Sequence, residues 1–186
     1  MMAEDLRTEP PSDEELVQRA KAGDSRALDV LADRHHAAVF RTCVAILGEE
    51  DLAADASQDS FIKAFRALGR FRGDSAFRTW LLAIAGNEAR GQLRKVGRRK
   101  ERGLENVDTI SASGHDPSTE VTLRSEADRV RAAVAELPQK QRLSVTLRID
   151  DGLSFREIGE IIDSSEGSAR VNYHHGIRRL RELLEP

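Results

Sequence analysis

The chain has 186 residues, a formal net charge of -3, 39% hydrophobic and 33% charged residues, a mix that suits one ordinary soluble helical domain or two small ones. Aromatics at 4% argue against a β-sandwich or barrel, and the slightly acidic balance means that any affinity for nucleic acid must come from local basic patches. The single cysteine, Cys43, excludes an internal disulfide and a cysteine-rich zinc site and fits a reducing cytoplasm, while the polar opening MMAEDLRTEPPSDEE lacks a secretion signal and no apolar run reaches membrane-spanning length.

Residues 1–11 carry two prolines and no apolar period, and are expected to be a disordered tail. Ser12 with Glu15 three residues on is a capping box, so a short helix is expected over Asp13–Ala22, stopped by Gly23. A second helix is expected from Ser25 to Leu47, with Leu28, Leu31, Val39, Cys43, Ile46 and Leu47 inward. A third runs from Asp51 to Leu68, with Ala54, Phe61, Ile62, Phe65 and Leu68 inward, and Gly69 ends it. The loop Arg70–Ser75 leads into a fourth, from Ala76 to about Arg94. Residues 12–94 thus read as a helical bundle.

Residues 95–118 change character. Lys95, Arg98, Arg99, Lys100 and Arg102 form a basic run, either a solvated charged stretch or a nucleic-acid contact, and the polar segment ENVDTISASGHDPS follows. This is expected to be a flexible linker. Helix resumes near Thr119 and breaks at Pro138, opening a second unit over 119–186.

That unit ends in a helix-turn-helix pattern. Ser154 with Glu157 is another capping box; Ile158, Ile161 and Ile162 share a face; Asp163-Ser164-Ser165 breaks the run. A longer basic helix from Glu166 to Leu184 has Val171, Ile177, Leu180 and Leu184 for an inner stripe, leaving Arg170, Asn172, His174, His175, Arg178, Arg179 and Arg181 elsewhere. Arg and Asn suit base edges; Arg and His suit phosphates. The plainer alternative is a helical hairpin with a solvated basic face. His174-His175 diverge on a helix and have no evident third ligand, so no metal is expected, and no cofactor. His35-His36 are expected in surface or core roles.

The stretch DASQDSFIKAFRALGRFRGDSAFRTWLLAIAGNEAR, residues 55–90, resembles the second domain of the extracytoplasmic-function sigma factors. Asp55, Gln58, Asp59 and Phe61 match the family's D-x-x-Q-[ED]-x-F; Ser75, Phe77, Arg78, Thr79, Trp80, Leu81, Ile84, Ala85 and Asn87 match its S-x-F-R-T-W-L-x-x-I-A-x-N. LPQKQR and GLSFREIGEII stand where the family's fourth domain has them. The resemblance implies an all-α chain of two small helical domains on a flexible linker, domain two over 12–94 and domain four over 119–186. It implies no enzyme, but a cytoplasmic subunit that binds core RNA polymerase, recognises promoter DNA, opens it and starts transcription of a stress- or signal-responsive gene set under an anti-sigma factor.

By the same resemblance, Asp55, Gln58 and Asp59 would grip the clamp helices of the polymerase's largest subunit, with a further contact at its flap region. Phe71, Gly73, Asp74 and Ser75, with Asn87 nearby, would hold an extruded base of the minus-ten element, and Arg78, Arg90 and Arg94 would contact phosphate. For Phe77 and Trp80 core packing is the preferred reading, and for Arg78 a structural ion pair stands level with the phosphate. Ser168, Arg170, Val171, Asn172, His174, His175 and Arg178 would read the minus-thirty-five element, although Val171, Asn172 and His175-Gly176-Ile177 depart from the family's usual residues there. A free-standing helix-turn-helix repressor is the alternative; it would need no melting loop.

Overall fold

Ser12 starts the first helix as its spacing to Glu15 predicts: the hydroxyl accepts from the Glu15 amide at 3.2 Å and the Glu15 carboxylate accepts from the Ser12 amide at 2.9 Å. The computed structural model describes residues 10–101 and 126–185. Its helices are α1 (Asp13–Lys21), α2 (Ser25–Leu47), α3 (Glu50–Ala67), α4 (Phe77–Glu101), α5 (Glu126–Ala135), α6 (Gln139–Ile149), α7 (Phe155–Ile161) and α8 (Glu166–Leu184), with a 3-10 turn over Leu68–Arg70. Among the described residues every regular element is helical, so the all-α expectation holds. The tail through residue 9, the expected linker beyond residue 101 and the expected helix start at 119–125 lie outside the described residues.

Helix α2 is the axis of the N-terminal bundle, packing on α1, α3 and α4. Leu31, Val39, Cys43, Leu81 and Leu82 are fully buried there. Burial pushes the Cys43 thiol up to about 12, so it is an inert core residue. His35 is also core: its Nε2 lies 2.6 Å from Asp13, which takes Arg34 at 2.6 Å as well. Burial pulls its pKa below the ordinary imidazole value, with Asp13 pulling the other way. His36 is exposed and stacks on Phe40 and Phe61.

Three expectations need correction. Helix α3 does not pack through Ala54 and Ile62, which are exposed; its buried seam is Ala53, Ala56, Ser57, Ser60 and Ala64, small residues that let α2 and α4 approach closely, with Phe61 and Phe65 half-buried at the edge. Helix α4 runs past Arg94 to Glu101, because Gly97 without a following proline is too weak a stop, so Lys95 and Arg98 are helical. In α8, Val171 is 54% exposed; Ala169, Gly176 and Leu180 are buried, and Ile177 and Leu184 pack half-buried on the same core as Leu180, as expected.

In the C-terminal unit α8 packs on α6 and α7. A Cβ at Gly176 would stand 2.6 Å from Val145 Cγ2 and 3.4 Å from the Gln141 carbonyl. The glycine therefore sets how closely α8 approaches α6, and it outweighs the helix-propensity loss of about 1 kcal/mol. We expect Gly176→Ala to destabilise the chain by about 1–2 kcal/mol through overpacking against a stiff β-branched side chain. Val145→Ala in the same background should recover part of that loss in urea denaturation.

The two units are not held apart. Helix α6 packs on α2, and α7 on α4. One apolar cluster runs from Leu31 and Leu81 into Leu143, Leu147, Ile158 and Ile161. A smaller one joins Ala133, Leu137, Val145 and Leu180.

Candidate nucleic-acid interface and docking face

On α3, Asp55, Gln58 and Asp59 are all exposed, at spacings that place them on one face opposite the buried seam. Among the described residues neither carboxylate has an ion-pair partner. Ile62, 40% exposed, lies one further turn along the same face. The face thus carries two free negative charges, an amide and an apolar side chain, a composition that suits a basic, partly apolar partner surface.

The loop after the 3-10 turn is anchored by aromatic packing. Phe71 lies 4.9 Å from Trp80 and 5.9 Å from Phe77, centroid to centroid, with the Lys21 ammonium 5.7 Å over its ring and bonded to its carbonyl at 2.6 Å. Phe77 is buried and Trp80 half-buried, as the core-packing reading expected, and Phe71 joins them. Gly73, at φ 81°, turns the chain so that it and Asp74 stand in solvent, with Asp74 3.3 Å from Arg72; Ser75 is half-buried. The loop offers exposed backbone and a carboxylate above an aromatic floor.

Further along α4, Asn87 is exposed and accepts from Arg90 at 2.8 Å. Asn87 and Arg94 line a shallow groove between α3 and α4 with Lys63, Ile84, Gly91 and Lys95; Lys63 pairs with Glu88 at its edge. Arg78 and Arg90 face the C-terminal unit instead. Arg78 Nη2 lies 2.5 Å from Asp151 Oδ1, and Arg90 Nη1 donates to the Ile161 carbonyl at 3.0 Å. Burial lowers the Arg90 pKa, with the field of Asp163 opposing it.

The helix-turn-helix is built by local chemistry. Ser154 and Glu157 form the second capping box; burial raises the Glu157 pKa, but hydrogen bonds from Ser154 and from the Thr79 hydroxyl at 2.8 Å outweigh it and hold the carboxyl below its ordinary value. Asp163 takes a left-handed φ of 52° in the turn, a conformation that Asp tolerates better than most residues, and Ser165 caps α8. Ser168, Arg170, Val171, His174, His175 and Arg178 are exposed on α8, and Asn172 is half-buried with its amide on the Ser168 carbonyl at 2.8 Å. Arg170 is steadied by Glu166 at 2.8 Å and by the Phe155 ring, 5.2 Å below its guanidinium.

Further polar groups sit between the units, among them two that the sequence did not single out, Arg41 and Asp151. Arg41 Nη2 also reaches Asp151 Oδ1 at 2.5 Å, and the Asp151 side chain is fully buried. Its other oxygen has no hydrogen-bond partner, nor has Arg41 Nε. Gln139 donates to the Ile46 carbonyl at 2.9 Å and Arg142 to that of Ala45 at 2.7 Å. Gln139 and Arg142 belong to LPQKQR, whereas no local pattern marks Asp151 and Arg41, which are joined only by tertiary structure.

Comparison with known proteins fits this layout. Residues 31–99 match the sigma-70 region 2 family and residues 127–180 match sigma-70 region 4. The chain is 33% identical to the RNA polymerase sigma-H factor of Pseudomonas aeruginosa, over 94% of each chain. It is 35% identical to the ECF RNA polymerase sigma-E factor of Haemophilus influenzae, over 99% of this chain and 96% of that one, and 36% identical to that of Escherichia coli K12, over 96% and 95%. Among solved structures its fold is similar to CnrH in complex with the cytosolic domain of CnrY, with TM-score 0.65, 23% identity and coverage of 93% and 97%. It is also similar to the sigma factor RpoE in complex with the anti-sigma factor NepR from Bartonella quintana, with TM-score 0.68, 22% identity and coverage of 84% and 96%.

Proposed function

This chain belongs to the extracytoplasmic-function group of RNA polymerase sigma factors, and we propose how its surfaces divide the work of a promoter-specificity subunit. Asp55, Gln58 and Asp59 dock it on core RNA polymerase. Phe71, Gly73, Asp74 and Ser75, with Asn87, Arg78, Arg90 and Arg94, take the minus-ten element. Ser168, Arg170, Val171, Asn172, His174, His175 and Arg178 read the minus-thirty-five element. Residues 12–94 and 119–186 are the two working units.

Melting requires that an unstacked base gain more from the protein than it loses from its neighbours. Stacking and pocket contacts supply about 1–3 kcal/mol per base against an extrusion cost of a few kcal/mol. The loop over Phe71 and Trp80 supplies the floor, Gly73 allows backbone approach, and Asp74 and Ser75 offer groups to a base edge. Because Phe71 is locked by Phe77 and Trp80, the floor is organised before DNA arrives. Phosphate contacts by Arg90 and Arg94 would fix the strand's register without reading sequence.

Most support for this reading comes from the order of the two matched regions together with a free acidic face on α3. A helix-turn-helix repressor needs neither that face nor the loop after it. The chain is proposed to act without catalysis of its own, in the cytoplasm; among the described residues no helix is long and apolar enough to cross a membrane. An anti-sigma partner is proposed because sigma-fold relatives have been solved in such complexes. The test is run-off transcription over a randomised promoter library with reconstituted polymerase. Start sites that appear only with the chain, downstream of two spaced motifs, are expected; duplex binding without polymerase and no transcripts would favour the repressor.

A further inference from the structure

We propose that the C-terminal unit shields the minus-ten face in cis: the Asp151 carboxylate occupies an anion site formed by Arg41 and Arg78, and this site takes a nucleic-acid phosphate once the units part. The inference rests on the reading of Arg78 and Arg90 as DNA-facing residues, and it adds Arg41 to them.

The site is built from two helices of the N-terminal bundle. Arg41 comes from α2 and Arg78 from the first turn of α4, and both guanidiniums converge to 2.5 Å on one oxygen atom. Two forked cations converging on a single anionic oxygen suit phosphate as well as carboxylate. The fit to Asp151 is incomplete: its second oxygen is buried without a partner and Arg41 Nε has none. A phosphate brings more oxygens on a tetrahedral centre and can use the donor that Asp151 leaves idle.

The other polar contacts of the interface are as replaceable, and the apolar contact of Leu143, Leu147, Ile158 and Ile161 with the N-terminal bundle is what opening must expose. Gln139, Arg142 and Arg90 donate to the carbonyls of Ile46, Ala45 and Ile161, contacts that water satisfies on opening. The Thr79–Glu157 bond can likewise pass to water. The closed arrangement holds both Arg78 and Arg90, yet leaves Asp55, Gln58 and Asp59 exposed. Polymerase can therefore engage the chain before DNA does. Asp151 and a DNA phosphate cannot occupy the same donors, so closure and DNA binding exclude each other at this site.

The test uses the full chain with Asp29→Cys and Arg181→Cys carrying a fluorescent donor and acceptor, since Cys43 is buried with its thiol raised to about 12 and stays unlabelled. The ligand probe is a fluorescein-labelled single-stranded DNA 30-mer of mixed sequence, titrated by anisotropy over a series of salt concentrations. Asp151→Asn should lower energy transfer and tighten DNA binding by at least about tenfold. Asp150→Asn, the same charge change at an exposed neighbour, should do neither. Gln139→Ala with Arg142→Gln opens the interface from its far edge and loses a positive charge, yet should still bind more tightly; it also carries the test if Asp151→Asn fails to fold. Adding Arg41→Ala to an opened variant should remove the gain and reduce the salt slope by about one phosphate contact.

Unchanged energy transfer in both opened variants overturns the proposal, as does opening without tighter binding, or an opened variant indifferent to Arg41→Ala. Wild-type run-off transcription distinguishes the two failures. If it is intact and falls with Arg90→Ala, the sigma-factor reading stands and only the cis shield is lost.

Discussion

Replacing Asp55 and Gln58 together by Ala should reduce co-purification with core RNA polymerase by about tenfold or more, and run-off transcription with it, while the free protein keeps its helix content and melting temperature. The fold should survive because both side chains are exposed and lie opposite the small-residue seam that packs α3. Exposed substitutions away from caps and networks change stability by about 0.5 kcal/mol or less, and Ala is a better helix former than Asp or Gln. Binding should suffer because interfaces concentrate energy in a few central side chains worth about 1–2 kcal/mol or more, and each 1.4 kcal/mol is about tenfold. Loss of Asp55 should also flatten the salt dependence of core binding. Ile62→Ala should weaken the complex by a similar route without altering that dependence, since Ile62 adds apolar area to the same face. Full co-purification of the double variant would remove α3 as the docking face.

Much of the helical layout could be read locally. Ser12 with Glu15 and Ser154 with Glu157 are reciprocal caps whose chemistry is complete within four residues, and both helices start where those pairs place them. The turn before α8 was legible for the same reason, since Asp163, Ser164 and Ser165 favour breaks whatever surrounds them. The errors came where packing decided. A 3.6-residue period gives a face but not which of two faces is buried when both contain alanine; it allows Ala54 and Ile62 inward in α3, while the seam is Ala53, Ala56, Ser57, Ser60 and Ala64. Val171 is hydrophobic yet exposed, because Gly176 brings α8 against α6 on the side that carries Leu180 but not Val171.

The candidate sites divide in the same way. The α3 trio, the loop around Gly73 and the outward side chains of α8 lie on single elements, so resemblance could point to them and the structure leaves them accessible. The Arg41–Asp151–Arg78 cluster could not be found that way. Its members belong to three elements with no motif in common, and Asp151 in sequence is one of two adjacent acids, of which Asp150 is exposed.

Gly159→Ala should disable minus-thirty-five recognition although its site touches no DNA-facing side chain. A Cβ at Gly159 would stand 2.8 Å from the Ser164 carbonyl oxygen and 3.2 Å from both the Glu166 amide nitrogen and the Ser165 carbonyl carbon. These are backbone atoms of the turn that sets the angle between α7 and α8, so no side chain can swing away to make room. The Ser164 amide also donates back to the Gly159 carbonyl at 2.9 Å, which ties the turn to this point. Relief must come from shifting α8, the cap at Ser165, or both. We expect a stability loss of about 1–3 kcal/mol and at least about a tenfold loss of binding to a minus-thirty-five duplex, because groove contacts depend on the helix being held at its docking angle. Gly167→Ala, in the first turn of α8, is the matched control. Its Cβ would meet nothing closer than Ser165 Oγ at 3.9 Å, and Ala is the better helix former, so stability should hold or rise by up to about 1 kcal/mol. Denaturant melts of the free chain, with anisotropy on the duplex for the chain bound to core polymerase, would separate the pair. If Gly159→Ala proves as benign as Gly167→Ala, the turn is not what orients α8, and the angle must come from its packing on α6.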